Sequence, residues 1–186
     1  MERCFLDISD ISGTDLYCSR EAAEEIRRRI APQPLNALHV LGNGNYHYLS
    51  LFYLERINEP FTLVLFDHHS DNQPGAFGGE LLSCGSWVLE ATKRLDNLKK
   101  VVWIGGDGQI NDIPESLPAY LSIDLDILAP EYVKTVWDQG DMELSELMLL
   151  INYTMKKCDV IGIDLCGAAD NNDPTVLSIC DTICSL

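Results

Sequence analysis

Phe61-Thr62-Leu63-Val64-Leu65-Phe66-Asp67-His68-His69-Ser70-Asp71 is a nearly unbroken apolar run that ends in a cluster of acids and imidazoles. A strand so continuously apolar is expected where helices cover both faces of a parallel sheet. If the chain stays extended past Phe66, side chains alternate faces, so Asp67, His69 and Asp71 point one way and His68 and Ser70 the other. The device recurs at Ser122-Ile123-Asp124-Leu125-Asp126, again behind an apolar run. Acids alternating with aliphatics rarely serve packing, because an unpaired buried carboxylate is costly. Either cluster alone also fits loop or helix capping by Asp. Both together, each at the carboxyl end of a predicted parallel strand, favour a site that binds two cations.

Working outward, strand-like runs recur at Cys4 to Ile8, Leu38 to Leu41, Val101 to Ile104, Tyr120 to Ile123 and Val160 to Ile163. Helical stretches alternate with them. Ser19 is placed to cap a helix over Arg20 to Ile30, which Pro32 and Pro34 end. Further helices are predicted over roughly His47 to Ile57, Ser86 to Leu95, Leu144 to Lys157 and Pro174 to Cys184. This alternation predicts an α/β fold, a three-layer αβα sandwich around a mainly parallel sheet. A length of 186 residues fits a single domain over 1–186. The Gly/Pro-rich segment Asn72 to Gly79 reads as an active-site loop rather than a linker.

Composition narrows the function classes. A formal charge of −16 leaves no basic stripe for nucleic acid or anionic membranes. No apolar run approaches spanning length, and Met1-Glu2-Arg3-Cys4 lacks a signal-peptide pattern, so a cytoplasmic location is expected. The seven cysteines include no Cys-x-x-Cys pair and read as reduced thiols.

The motif order resembles the arginase/agmatinase (ureohydrolase) family of dinuclear manganese hydrolases. The resemblance rests on Gly42-Asn43-Gly44-Asn45-Tyr46-His47, Asp67-x-His69-x-Asp71, Cys84-Gly85-Ser86, Ser122-x-Asp124-x-Asp126 and Asp164-Leu165-Cys166-Gly167. It implies that Asp67 and Asp124 bridge two divalent ions, that His47 and Asp71 complete one, and that His69 and Asp126 complete the other. The implied ions are Mn2+, which suits oxygen-rich ligation with two imidazoles. His68 is read as a packed or hydrogen-bonded histidine. The implied activity is hydrolysis of a guanidino or amidino C–N bond by a metal-bridging hydroxide, releasing urea or a related product. Asp71 would accept a hydrogen bond from the nucleophile and pass a proton to the leaving amine. A metal-dependent amide deacylase and a non-catalytic metal-binding protein are the alternatives.

Two departures bear on substrate. The family's proton-shuttling histidine falls at Cys84 and its guanidinium-anchoring glutamate at Gly167. Asp170, or Glu80 on the loop, is a candidate replacement charge, although each also fits a solvated loop residue. Trp137 is placed to stack on a planar guanidinium or to form a subunit contact. The chain is short for the family, which suggests trimmed loops and an open mouth suited to a small guanidino compound or an arginine side chain within a peptide. Oligomeric state is left open.

Overall fold

The computed structural model describes residues 1–75 and 81–186. Its centre is a six-stranded, wholly parallel sheet built from β1 (Glu2–Phe5), β3 (Ala37–Asn43), β4 (Phe61–Phe66), β6 (Leu98–Ile104), β7 (Ala119–Asp124) and β8 (Val160–Gly167), in the order β1-β3-β8-β7-β4-β6. A separate two-stranded antiparallel ribbon joins β2 (Tyr17–Cys18) to β5 (Leu82–Ser83). That ribbon is not foreshadowed by any pattern in the chain, because two-residue strands carry no periodicity.

Helices cover both faces. On one side α1 (Arg20–Ile30), α2 (Leu49–Leu54) and α3 (Trp87–Arg94) pack Ile26, Ile30, Phe52 and Trp87 against Leu41, Leu63, Leu65 and Tyr120. On the other, α4 (Leu144–Lys157) and α5 (Pro174–Ser185) pack Leu147, Ile151, Val176 and Ile183 against Val40, Val64, Leu121 and Ile163. The period-two split of β4, with Val64 and Phe66 in one core and Leu63 and Leu65 in the other, is what a strand sandwiched between helix layers requires. The expected three-layer αβα sandwich is therefore the observed fold. Among the described residues, no helix is long and apolar enough to cross a membrane.

Boundaries shift where side chains intervene. Strand β1 stops at Phe5 rather than continuing to Ile8, where the Asp7 carboxylate accepts a hydrogen bond from the Ser9 N–H at 2.9 Å and turns the chain. Helix α1 starts as expected, with Ser19 Oγ accepting from the Ala22 N–H at 3.1 Å. Helix α2 is shorter than expected because a 3-10 turn, Gly44–Tyr46, takes up the chain leaving β3 and delivers His47.

Candidate metal centre

The carboxyl ends of β3, β8, β7 and β4 lie side by side, and the loops leaving β3, β7 and β4 bring His47, Asp67, His69, Asp71, Asp124 and Asp126 together. Three atoms, one each from His47, Asp67 and Asp71, lie within 4.8 Å of one another; so do three from Asp67, His69 and Asp126. Asp67 belongs to both groups. His47 Nδ1 sits 2.9 Å from Asp71 Oδ2, 3.2 Å from Asp67 Oδ2 and 3.4 Å from Asp124 Oδ2. His69 Nδ1 is 2.8 Å from Asp126 Oδ2 and 3.7 Å from Asp67 Oδ1.

The convergence is not produced by extended alternation, as the sequence suggested. Strand β4 ends at Phe66, and Asp71 has a left-handed backbone (φ 48°), which Asp tolerates better than most residues. Asp126 lies in a 3-10 turn over Leu125–Ile127 rather than in phase on a strand. Short local bonds set these turns: Asp67 Oδ1 accepts from the His69 N–H at 2.6 Å, Asp124 Oδ1 from the Asp126 N–H at 2.9 Å, and Asp126 Oδ1 from the His68 N–H at 3.2 Å. Each carboxylate thus spends one oxygen on the backbone and directs the other inward. His68 contributes its amide, while its ring meets that of His69 edge-on.

A second tier fixes the imidazole. His47 Nε2 lies 2.9 Å from Ser122 Oγ, which donates to Asp164 Oδ1 at 2.7 Å. With Ser122's proton committed to Asp164, His47 donates from Nε2 and turns Nδ1 toward the aspartates. Trp87 Nε1 donates to Asp71 Oδ2 at 2.6 Å. Ser122 and Asp164 stood within the sequence motifs without an assigned role; Trp87 carried no sequence signal, since only the packing of α3 brings it there.

Electrostatics mark the cluster as short of positive charge. Burial, aggravated by Asp71, pushes Asp67 well above the ordinary carboxylate range; burial and Asp126 push Asp124 up to about 6, and burial raises Asp126. Burial opposes charge on His47, yet Cys166 and the Asp67 and Asp71 carboxylates that its ring faces outweigh it and hold the imidazole well above its usual value. Asp67 Oδ2 is buried with no hydrogen-bond donor. A pair of divalent cations fits this donor set, replacing the proton the acids otherwise draw onto His47.

Above the cluster lies a cavity of about 180 Å3 whose lining adds Gly44, Ser70, Gln73, Cys84, Gly85 and Trp137 to Asp67, His69, Asp71, Asp124 and Asp126. Cys84 is where the sequence placed it, but burial and then Asp71 push its thiol up to about 11, so it is not a thiolate near neutral pH. Trp137 lies over Gly44, where a Cβ would come within 2.7 Å of the indole, and its Nε1 donates to Asn45 Oδ1 at 3.0 Å. Asp170 is not among the lining residues; it is exposed and accepts from the Asn172 N–H at 2.8 Å. Glu80 lies outside the described residues. Gly167 has φ 101°, and a Cβ there would fall 2.0 Å from Asp124 Oδ1, so the backbone itself demands glycine where the family resemblance implies glutamate.

Known proteins sharpen the class. No family model matches the chain. An uncharacterized protein of Thermotoga maritima is 34% identical over 145 residues, covering 70% of this chain and 57% of its own length. Among solved structures, the proclavaminate amidino hydrolase of Streptomyces clavuligerus superposes with a TM-score of 0.69 at 16% identity, over 90% of this chain and 68% of that one. A hypothetical agmatinase of Burkholderia thailandensis gives 0.63 at 20% identity, over 87% and 60%. This is the arginase-like α/β fold. Within that class the neighbours are named as an amidino hydrolase, an agmatinase and, from Medicago truncatula, an arginase, and the chain spans little more than half the length of its Thermotoga relative.

Proposed function

We propose that the chain is a dinuclear metal-dependent hydrolase acting on the C–N bond of a guanidino or amidino group. The observation that carries this reading is the convergence of His47, Asp67, His69, Asp71, Asp124 and Asp126 beneath a cavity, with a buried Asp67 oxygen left without a donor. Two divalent ions held by these six residues would supply positive charge for the four carboxylates and lower the pKa of water toward neutrality. The oxygen-rich donor set favours Mn2+.

The protein's own groups take the remaining tasks. Asp71 Oδ2, steadied by Trp87, lines the cavity as the proton acceptor and passes the proton to the leaving amine. Trp137 offers a flat face to a planar guanidinium. Ser70 and Gln73 offer neutral hydrogen bonds, and Cys84 forms wall rather than nucleophile. Trp137 is 41% exposed and the His69 side chain 34%, so the cavity opens on their side. That opening supports a guanidino group presented on a larger molecule, such as an arginine side chain within a peptide.

A specific observation favours a second reading. Apart from the four aspartates of the cluster, the described lining carries no carboxylate; the acid nearest the mouth is Asp138, exposed at the rim 3.6 Å from His69 Nε2. An amide deacylase would need none. Incubation with Mn2+ and free arginine, agmatine, an arginine-containing peptide or an N-acetylated amine separates the two. Urea or ammonia from a guanidino compound supports the first reading, and acetate release supports the second. The first reading is abandoned if the metal-loaded protein acts on no guanidino or amidino compound.

A further inference from the structure

Strand β8 lies between β3 and β7, so its last residues sit between the strand that leads to His47 and the strand that ends at Asp124. In register, Cys166 pairs with Asp124 on one side and Gly42 on the other. Its side chain shares the face of Ser122 and Asp164, is 1% exposed, and places Sγ 3.2 Å from Asp124 Oδ2. Donor atoms of His47, Asp124 and Cys166 lie within 4.8 Å of one another, all three residues buried. His47 Nδ1 lies 3.4 Å from Asp124 Oδ2 and also faces Asp67 and Asp71. The groups His47, Asp67, Asp71 and His47, Asp124, Cys166 therefore share one imidazole and set a sulfur beside it, whereas the half-site of His69 and Asp126 has no comparable thiol among the described residues.

We infer that Cys166 is a sulfur ligand to the ion held by His47, making the two half-sites chemically unequal. This rests on the dinuclear reading above and refines it. The thiol gives up its proton to solvent as the sulfur–metal bond forms. Sulfur selects softer ions than carboxylate does, so the His47 half-site should take Zn2+ or Co2+ over Mn2+, while the His69 half-site, built from imidazole and oxygen, keeps no such bias. The backbone at Gly167 serves the same arrangement by turning the chain immediately after Cys166 with no side chain to crowd Asp124.

The test strips the full chain with chelator and titrates it with Co2+ alone, reading ligand-field bands for occupancy and the near-ultraviolet sulfur-to-cobalt band for thiolate ligation. The wild type should show both. Cys166→Ser and Cys166→Ala should keep ligand-field bands and lose the sulfur band, and Cys84→Ser should keep both. The ratio of Zn2+ to Mn2+ affinity should fall at least about tenfold in Cys166→Ser. X-ray absorption of the zinc-loaded wild type, which needs no variant, should show one sulfur at about 2.3 Å. Cobalt bound with no sulfur band, and zinc ringed by nitrogen and oxygen alone, would overturn the role of Cys166 and leave the dinuclear reading standing. Failure to take up either metal would sink both.

Discussion

Replacing Gly167 by Ala asks whether this position is a glutamate that was lost or a glycine that the backbone requires. Two costs add. An L-residue at φ 101° carries left-handed strain of about 1–2 kcal/mol. The new methyl group would also sit 2.0 Å from Asp124 Oδ1 and 2.7 Å from the Leu125 N–H, and the latter belongs to a fixed turn. Forcing one carbon into such packing typically costs about 1–3 kcal/mol. The sum, roughly 3 kcal/mol, should lower the melting temperature by about 6–12 °C in a chain of this size. Relief comes only by swinging the Asp124 carboxylate aside, so metal-dependent stabilisation should weaken as well. The assay is a thermal melt with chelator and again with Mn2+. Gly85→Ala is the control, since a Cβ there meets nothing within 4 Å on the same cavity, and its effect should stay within about 0.5 kcal/mol. A Gly167→Ala protein that melts and binds metal like the wild type would refute the reasoning, and would make Gly167→Glu a plain route to a guanidinium anchor.

Three further outcomes are expected. Asp124→Asn should abolish the stabilisation that metal gives, about 2.7 kcal/mol at a hundredfold excess over the dissociation constant, while the chelated variant becomes more stable than the chelated wild type because one buried charge is gone; calorimetry with and without Mn2+ checks both. Trp87→Phe keeps the ring but removes the donor to Asp71 Oδ2, so metal affinity should fall about 10- to 100-fold by titration, and an unchanged affinity would show the 2.6 Å bond to be idle. His39, fully buried and stacked on Tyr53, has its pKa lowered to about 4, first by burial. Because the folded value lies below the unfolded one, the unfolded chain takes up the proton as pH falls from about 6.5 to 4, and stability is lost over that window. Between pH 7.5 and 5 the loss is about 2 kcal/mol by that linkage, and His39→Phe should lack it in denaturant titrations; equal pH slopes in the two proteins would contradict the assignment.

The sheet was legible because its central strands are apolar over most of their length, as Phe61–Phe66 illustrates, and because α1 and α5 carry side-chain caps. Five of the six cluster residues were legible through two acidic motifs, and His47 through the glycine-rich turn Gly42 to His47. Their geometry was not: the expected alternation on an extended strand gives way to turns, since side-chain-to-backbone bonds at Asp67, Asp124 and Asp126 fold those segments. Trp87 and Cys166 were illegible as site residues because their roles depend on which element lies beside which, and strand order is a long-range property. Asp170 looked usable as a substituted charge from its distance along the chain, but the turn after Gly167 carries it to the surface.

The same strand order explains why the departures from the family pattern belong together. With β8 in the middle of the site, whatever ends that strand must fit between His47 and Asp124. A bulky anchor at position 167 would strike Asp124, so a glycine there leaves the anchor's task to groups on other loops. The loop after β7 brings Trp137 into the cavity lining, with the Cδ1–Nε1 edge of its indole against Gly44, which has no side chain to meet it. Gly44 in turn starts the 3-10 turn that sets His47. On the proposed reading, substrate recognition would rest on an aromatic face at the rim in place of a buried charge at the end of β8, and a rim contact tolerates a guanidino group carried on something larger than a free amino acid. Trp137→Ala should therefore raise KM for an arginine peptide more than it lowers kcat, whereas equal losses in both would place Trp137 in the transition-state machinery instead.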